Sequence, residues 1–537
     1  MAPGMLYVTM QPRQGLPIEQ FHEWYNNEHG PTRLRLPQIF SNGLRYRAAD
    51  GKDPEFLAAY DVTSMSHLET KTYTSLRENR SPREAETIGQ VEVKRYFWDL
   101  VSTKLSPLFI PIEQLTDDEA EGIVLLAVEL KLKDTANAET ETIKWCEGHI
   151  DMLSKVPGWL RSRILRTSSL EAGAPVSLIA LHEFAKGNEL GDVANEAAAR
   201  SPGWEDVQAK FATLTSQRLY SLFYVFGPAP RDLHNLSRLA PSTPAFTSAD
   251  ATTMTSTTPP VITSYVTARD GLIIPYRLEG NPDPKAPTIA FCNSLLTSLH
   301  MWDRFIAILT AQRPQYRILR YDFRGRGAIP SPPAPATLDI LADDLRDVLA
   351  ALRIAKLDTL IGVSMGGATT LRFALTYPEK LGKFVAADFN AASSPANTGA
   401  WKERIIVAET VLGDGSSGIK RLAEQTVARW FHPKTMENAD TVRWIEDMVA
   451  SNDVQGFRYG CQALWDYDMK PQMGECRVPG LLVVGEGDGK GALVKAMDSF
   501  RGLLGEGNAE LAVVPDAGHL PMCENPEGFW KAVERFL

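Results

Sequence analysis

The chain reads as two unlike halves, an α+β half of small antiparallel units followed by an α/β half built on a largely parallel sheet. Three observations predict this. Strand and helix patterns run β-α-β-β-α-β twice before residue 227, a Pro/Ser/Thr-rich break occupies 228–262, and short apolar strands alternate with amphipathic helices from 263 to 537. A length of 537 residues also exceeds what one core of ordinary size organises. The expected parts are a first module at 1–110, a second at 120–227, a linker at 228–262 and an α/β domain at 263–537 with an insertion at about 391–471.

The internal repeat decides the reading of the first half. Residues 5–11 and 123–132 both have strand character, and each leads into a helical stretch bearing a tryptophan and then a histidine, Trp24 with His29 and Trp145 with His149. Pro37 and Pro157 stand eight residues beyond each histidine, ahead of GLRYR (43–47) and WLRSR (159–163). A second strand (55–62 or 176–184), another helical stretch and a last strand (91–101 or 217–226) complete each copy. That order is the split βαβ arrangement of ferredoxin-like modules, and two copies are expected to bury their apolar sheet faces against each other as an internal pseudo-dimer.

The arrangement resembles the dimeric α+β barrel superfamily, and FHEWYNNEHGPTRLRLPQ (21–38) is similar to its EthD-type members. The resemblance implies that a cavity histidine, His29 or His149, is available for proton transfer on polyketide-like or lactone substrates. The spacing itself demands no such role and favours a structural one at a helix end. An isomerase, decarboxylase or dehydratase in this half, or a non-catalytic assembly or ligand-binding module, are the alternatives it leaves open.

In the second half, ITSYVTARDGLIIPYRLEG (262–280) reads as a hairpin turning at Asp270-Gly271. Nearly continuous apolar runs at 288–293, 317–323, 358–364, 383–389, 480–486 and 509–515 read as parallel strands buried on both faces. The stretch 340–354 places Ile340, Leu341, Leu345, Val348, Leu349 and Leu352 on one helical face. The insertion, with Trp401, Trp430, Trp444 and Trp465, is expected to cap the carboxyl edge of the sheet, where open α/β folds bind ligands.

Gly362-Val363-Ser364-Met365-Gly366 fits G-x-S-x-G between a strand and a helix, a context in which small flanking residues let the chain turn sharply and present the serine. A serine hydroxyl needs a base within reach and a carboxylate to orient that base. Only His432 and His519 follow Ser364, and His519 lies on a Gly-containing loop after the last strand, where a base belongs. Asp488 in GEGDGKG is the first choice of acid, with Glu486 and Asp388 as rivals. Backbone N–H groups of Met365 and of the loop after strand 288–293, at Leu295 or else Ser294, are expected to hold a developing oxyanion.

FCNSLLTSLHMWDRF, RYDFRGRG, GVSMGGATTLRFALTYPEKL and DAGHLPMCENPEGFW together resemble the 3-oxoadipate enol-lactonase branch of the α/β-hydrolases. The resemblance implies a helical cap and a triad of Ser364, Asp488 and His519, with an oxyanion loop at Asn293-Ser294-Leu295. Two departures stand out. Arg324-Gly325-Arg326-Gly327 replaces R-G-H-G, and Leu296 stands where a glycine is usual, a change expected to narrow or reshape the pocket mouth. Ser294, Leu296, Arg324 and Trp465 are the candidate substrate contacts, although arginines at a strand-to-loop junction more often brace neighbouring loops.

The expected activity is hydrolysis of a carboxylic ester, foremost a lactone, through an acyl-enzyme. Carbon–carbon bond hydrolysis of a β-diketone-like substrate is the alternative for the same residues. A formal charge of −10 argues against a nucleic-acid partner. No apolar run reaches the roughly 18 residues that cross a bilayer, and a basic start followed by an apolar signal core is absent, so a cytoplasmic location away from membranes is expected. Cys146, Cys292, Cys461, Cys476 and Cys523 form no CxxC and suit reduced thiols, with no metal or cofactor implied. The expected partner is a small-molecule ester or lactone, and a homodimer is left open.

Overall fold

The computed structural model describes all residues except 1, 35, 37, 116, 192–200, 227–228, 238–245, 248–252, 256–258, 327–331, 333, 412, 414–416 and 506–508. Pro37, Gly327 and much of the expected linker therefore lie outside the described residues. The chain divides into two compact units, Met1–Pro228 with Thr247–Ala251, and Ala229–Phe246 with Thr252–Leu537.

The first unit is an antiparallel barrel of eight strands: β1 (Gly4–Pro12), β2 (Leu44–Ala48), β3 (Phe56–Val62), β4 (Val91–Leu105), β5 (Val124–Leu132), β6 (Trp159–Thr167), β7 (Ser177–Phe184) and β8 (Ala212–Val225). Its closed order is β1-β3-β2-β8-β5-β7-β6-β4. The inner faces of the two sheets share one core, and β2 pairs with β8 and β4 with β6, so the sheets also join at both edges as a closed barrel. Edge strands carry unpaired N–H and C=O groups, and closure satisfies both edges at once. Alternation along each strand then sorts the side chains. Met5, Tyr7, Leu125 and Ala127 belong to one core, inside the ring. Leu6, Val8 and Met10 face the layer beneath helix Ile18–Trp24, and Leu126, Val128 and Leu130 pack with Trp145 and Ile150 of helix Ala138–Leu153.

The second unit carries a ten-stranded sheet: β9 (Phe246–Thr247), β10 (Thr253–Thr255), β11 (Val261–Thr267), β12 (Ile273–Gly280), β13 (Thr288–Cys292), β14 (Arg317–Tyr321), β15 (Leu357–Val363), β16 (Leu381–Ala387), β17 (Gly480–Gly485) and β18 (Glu510–Val514). The order is β18-β17-β16-β15-β13-β14-β12-β11-β10-β9. From β14 through β18 neighbours run parallel, while β11 and β12 form an antiparallel hairpin. After β13 the chain goes to one side for β14 and returns to the other for β15. That reversal opens a crevice at the carboxyl ends of β13 and β15. Helices Pro395–Glu409, Ile419–Trp430, Ala439–Ala450 and Val454–Gly460 lie between β16 and β17 in sequence.

The segment expected to be a structureless linker begins with a helix, Ala229–Ser237, whose Leu233 and Leu236 are fully buried in the core of the second unit. Two leucines three apart on one face were enough to dock it against β11 and β12 despite its polar composition. No helix among the described residues is long and apolar enough to cross a membrane. Leu236→Ala is expected to cost about 2–5 kcal/mol, as for other buried leucines. Denaturant unfolding should place that loss in the transition of the second unit, and an unchanged midpoint would mean that the helix contributes nothing there.

Candidate active site

Ser364 sits between β15 and helix Met365–Thr376 with φ 60° and ψ −120°, a strained conformation held by its N–H donating to the Ala387 carbonyl at 2.9 Å. The flanking glycines are explained by space. A Cβ on Gly362 would lie 2.2 Å from the Gly366 oxygen, and one on Gly366 would lie 2.1 Å from the Cys292 oxygen. The turn and the end of β13 are thus in direct backbone contact.

His519 follows β18 on a loop pinned to the end of helix Ile419–Trp430. Its N–H donates to the Trp430 carbonyl at 2.8 Å, one of the carbonyls a helix end leaves without an internal partner. Its ring stacks on Trp430 with centroids 5.4 Å apart. Gly518 permits the approach, since a Cβ there would meet the Trp430 oxygen at 2.1 Å. The imidazole then reaches two groups: Nε2 lies 2.8 Å from Ser364 Oγ, and Nδ1 lies 2.7 Å from Asp488 Oδ2. A carboxylate at Nδ1 fixes the proton there and leaves Nε2 to accept from the serine hydroxyl.

The structure separates the three candidate acids. Asp488 meets the imidazole from a turn in which Gly489, Lys490 and Gly491 all have positive φ. Glu486 accepts instead from the Asp516 N–H at 3.3 Å. Asp388 is buried and accepts from the Gly485 N–H at 2.8 Å, and burial together with the neighbouring Asp488 charge holds its pKa well above the carboxylate range.

On the loop after β13, the Ser294 N–H is turned toward Met301 Sδ at 3.4 Å, whereas the Leu295 N–H has no acceptor among the described residues. Met365 opens its helix, so its N–H likewise has no intrahelical acceptor. Leu296 has φ 70°, which is why a glycine is comfortable at this position. The expectation that Leu296 reshapes the pocket mouth is not met: its side chain is buried and absent from the pocket wall, and the substitution acts on backbone strain instead. Its carbonyl accepts from Asn452 Nδ2 at 2.9 Å, and Asn452 Oδ1 accepts from Arg326 Nη1 at 2.5 Å, so Arg326 braces the loop.

Arg324 makes no pocket contact either. Its Nε and Nη2 grip Asp344 at 2.7 and 2.5 Å, and its Nη1 reaches Asp270 at 2.9 Å, a brace between loop, helix and hairpin. Ser294 and Trp465 are also absent from the wall, and Trp465 lies under the Lys402 ammonium. A larger concavity of about 1680 Å³ elsewhere on this unit has neither Ser364 nor His519 at its wall.

The cavity over Ser364 measures about 390 Å³, and insertion residues that the sequence did not single out for the site form much of its wall: Asn397, Trp401, Arg404, Arg429, Trp430 and Tyr467. Arg404 lies 4.4 Å over the Trp401 ring. Burial, with Arg404 nearby, lowers the Arg429 pKa to about 10. Neither arginine is ion-paired with a described residue, and both share the cavity wall with Asp488. The available signal was the spacing of Trp401 with Arg404, one turn apart on a helix, which resembles an ordinary solvated face. The described residues include no grouping of three or more His, Cys, Asp or Glu that would hold a metal ion.

Residues 291–532 match the alpha/beta hydrolase family. The C-terminal half has the α/β-hydrolase fold. Over 273 residues, 51% of this chain and 95% of the relative, it is 29% identical to 3-oxoadipate enol-lactonase 2 of Acinetobacter baylyi. It is 28% identical to enol-lactonase 1 of that organism over 96% of its length. The enol-lactonase structure from Burkholderia xenovorans is 28% identical, with a TM-score of 0.46 and coverage of 51% of this chain and 99% of that one. The family match and the two enol-lactonase relatives support a hydrolase.

Within this hydrolase domain, Asp388→Asn is expected to keep turnover, because an amide retains the Gly485 contact and tolerates the φ of 45°. Asp488→Asn is expected to lose it. The folded pKa of Asp388 is raised, so the stability it contributes is full below the unfolded carboxylate value of about 3.9 and is lost as pH rises toward the folded value. The Tm of Asp388→Asn should therefore exceed that of the wild type by a margin that widens from pH 4 to pH 7. A margin independent of pH would show that Asp388 is ionised in the fold.

Proposed function

We propose that the hydrolase domain cleaves a carboxylic ester, specifically a lactone bearing an anionic group, through an acyl-enzyme. The hydrogen-bonded line from Asp488 through His519 to Ser364 carries this reading. Ser364 Oγ attacks the carbonyl carbon as Nε2 of His519 takes its proton. The tetrahedral oxyanion lies between the Leu295 and Met365 N–H groups. The carbon–oxygen bond of the ring breaks, and the imidazolium returns the proton to the departing oxygen. Water, deprotonated by His519, then attacks the acyl-serine and releases a carboxylic acid, restoring Ser364. Asp488 holds the ring and stabilises the imidazolium throughout.

The anionic group follows from Arg404 and Arg429, which line the cavity wall with Asp388 and Asp488 and form no ion pair with a described residue. The named relatives act on an enol-lactone, which supports the lactone reading. For the N-terminal unit, the repeated order β4-β1-β3-β2 and β8-β5-β7-β6 supports two ferredoxin-like modules of the EthD-like kind. Five buried free thiols accord with a reducing compartment such as the cytoplasm.

Ser364→Ala is expected to lower kcat for a lactone or aryl ester by about 10⁴-fold or more with the fold intact. Retained turnover would remove the mechanism. Arg429→Met or Arg404→Met should raise KM about ten- to a hundredfold for a carboxylate-bearing lactone, the worth of a charged hydrogen bond. The neutral methyl ester of the same lactone should show little change, and equal effects on both would rule out charge recognition.

A further inference from the structure

The layer between the first module's helices and the outer face of its sheet holds an arginine with no carboxylate. Arg45 on β2 points away from the barrel interior, since its neighbours Leu44 and Tyr46 face inward, and it is fully buried. Its guanidinium lies 5.1 Å from the centroid of Phe21, 4.4 Å from Tyr25 and 4.9 Å from Phe223, walled by aromatic rings. Nη1 donates to Asn26 Oδ1 at 2.5 Å. Nε and Nη2 have no hydrogen-bond partner among the described residues.

Those two nitrogens form one edge of the guanidinium, the edge that grips a carboxylate with two parallel hydrogen bonds. This protein uses it elsewhere. Arg161 gives Nε and Nη2 to Glu183 at 2.8 and 2.7 Å, and Arg324 gives them to Asp344. A buried charged edge without an acceptor is costly, and an anionic ligand removes that cost.

The surroundings suit the same ligand. Tyr25–His29 forms one π-helical turn, which sets Tyr25 and His29 ring to ring at 4.8 Å. His29 Nδ1 is paired with Glu84 Oε1 at 2.7 Å, and burial among Arg33, Arg95, Arg80 and Arg45 holds its pKa well below the usual value. The equivalent histidine of the second module, His149, pairs with Ser201 and stands beside His182, where no arginine is among the groups that perturb it. The cover over Arg45 is a seven-residue helix, Ile18–Trp24, and the π turn.

We propose that the outer layer of the first module is a binding site for a small aromatic or conjugated carboxylate, held by the Nε–Nη2 edge of Arg45 and stacked among Phe21, Tyr25 and Phe223. The test uses the full chain carrying Arg404→Met and Arg429→Met, which removes the cationic groups of the hydrolase cavity. Benzoate is titrated by calorimetry, with benzamide as the neutral isostere, and benzophenone-4-carboxylate is photo-crosslinked and mapped by mass spectrometry. The expected result is saturable benzoate binding at one site, at least tenfold tighter than benzamide, with crosslinks in 21–29, 44–47 or 223–226. Arg45→Lys, which keeps the charge and loses the fork, should weaken binding at least tenfold while circular dichroism is unchanged. Absent binding, equal affinity for benzamide, or crosslinks elsewhere would overturn the proposal. So would undiminished binding by a folded Arg45→Lys, and should that variant fail to fold, the crosslink map of the chain with native Arg45 decides.

Discussion

The chemistry of the hydrolase domain depends on one close approach, between the end of β13 and the start of the helix that follows Ser364. Gly366 lies so near the Cys292 carbonyl that a Cβ would have no room. Because of this, the loop after β13 and the turn after β15 meet at one end of the sheet, where the proposed oxyanion would lie between the Leu295 and Met365 N–H groups. Parallel pairing supplies the coarse placement, since Cys292 and Gly362 are register partners. The missing side chain supplies the fine placement. Arg326, Asn452 and the Leu296 carbonyl then hold the loop from behind, at the cost of a leucine in a backbone region that disfavours it.

What was legible in the sequence follows from how local each determinant is. The Ser364 turn is written in five residues, and its glycines are demanded by contacts within the turn and with the adjacent strand. His519 was legible because few histidines follow Ser364 and the loop position is characteristic. The acid was less so: Asp388, Glu486 and Asp488 all follow strand ends, and what distinguishes them is the direction in which each loop leaves its strand. That direction is set by positive φ at Gly489, Lys490 and Gly491, a tertiary fact that composition does not carry. Arg404 and Arg429 were illegible for another reason. An arginine on a helix has the same pattern whether it faces solvent or a cavity, and only the packing of the insertion decides.

Arg324 illustrates the converse. Its position after β14 made it a candidate for substrate, yet Asp344 and Asp270, distant in sequence, neutralise it. A buried arginine whose planar edge is already filled is a brace, and one whose edge is open is a ligand group. The same criterion, applied to the N-terminal unit, sets Arg45 apart from Arg161, whose Nε and Nη2 both reach Glu183.

In the barrel, closure at both edges has a consequence for where sites can form. Closure commits the inner faces to one shared core, with Tyr7, Tyr46, Trp98, Tyr220 and their neighbours filling it. The outer faces form two layers under different helices, with Phe223 of β8 packed in the first module's layer. The layers differ at corresponding histidines: His29 has a carboxylate partner and arginine neighbours, while His149 has a serine and a second histidine. A shared interior thus coexists with two distinct outer layers, and the outer layer is where the unit's two halves carry different chemistry.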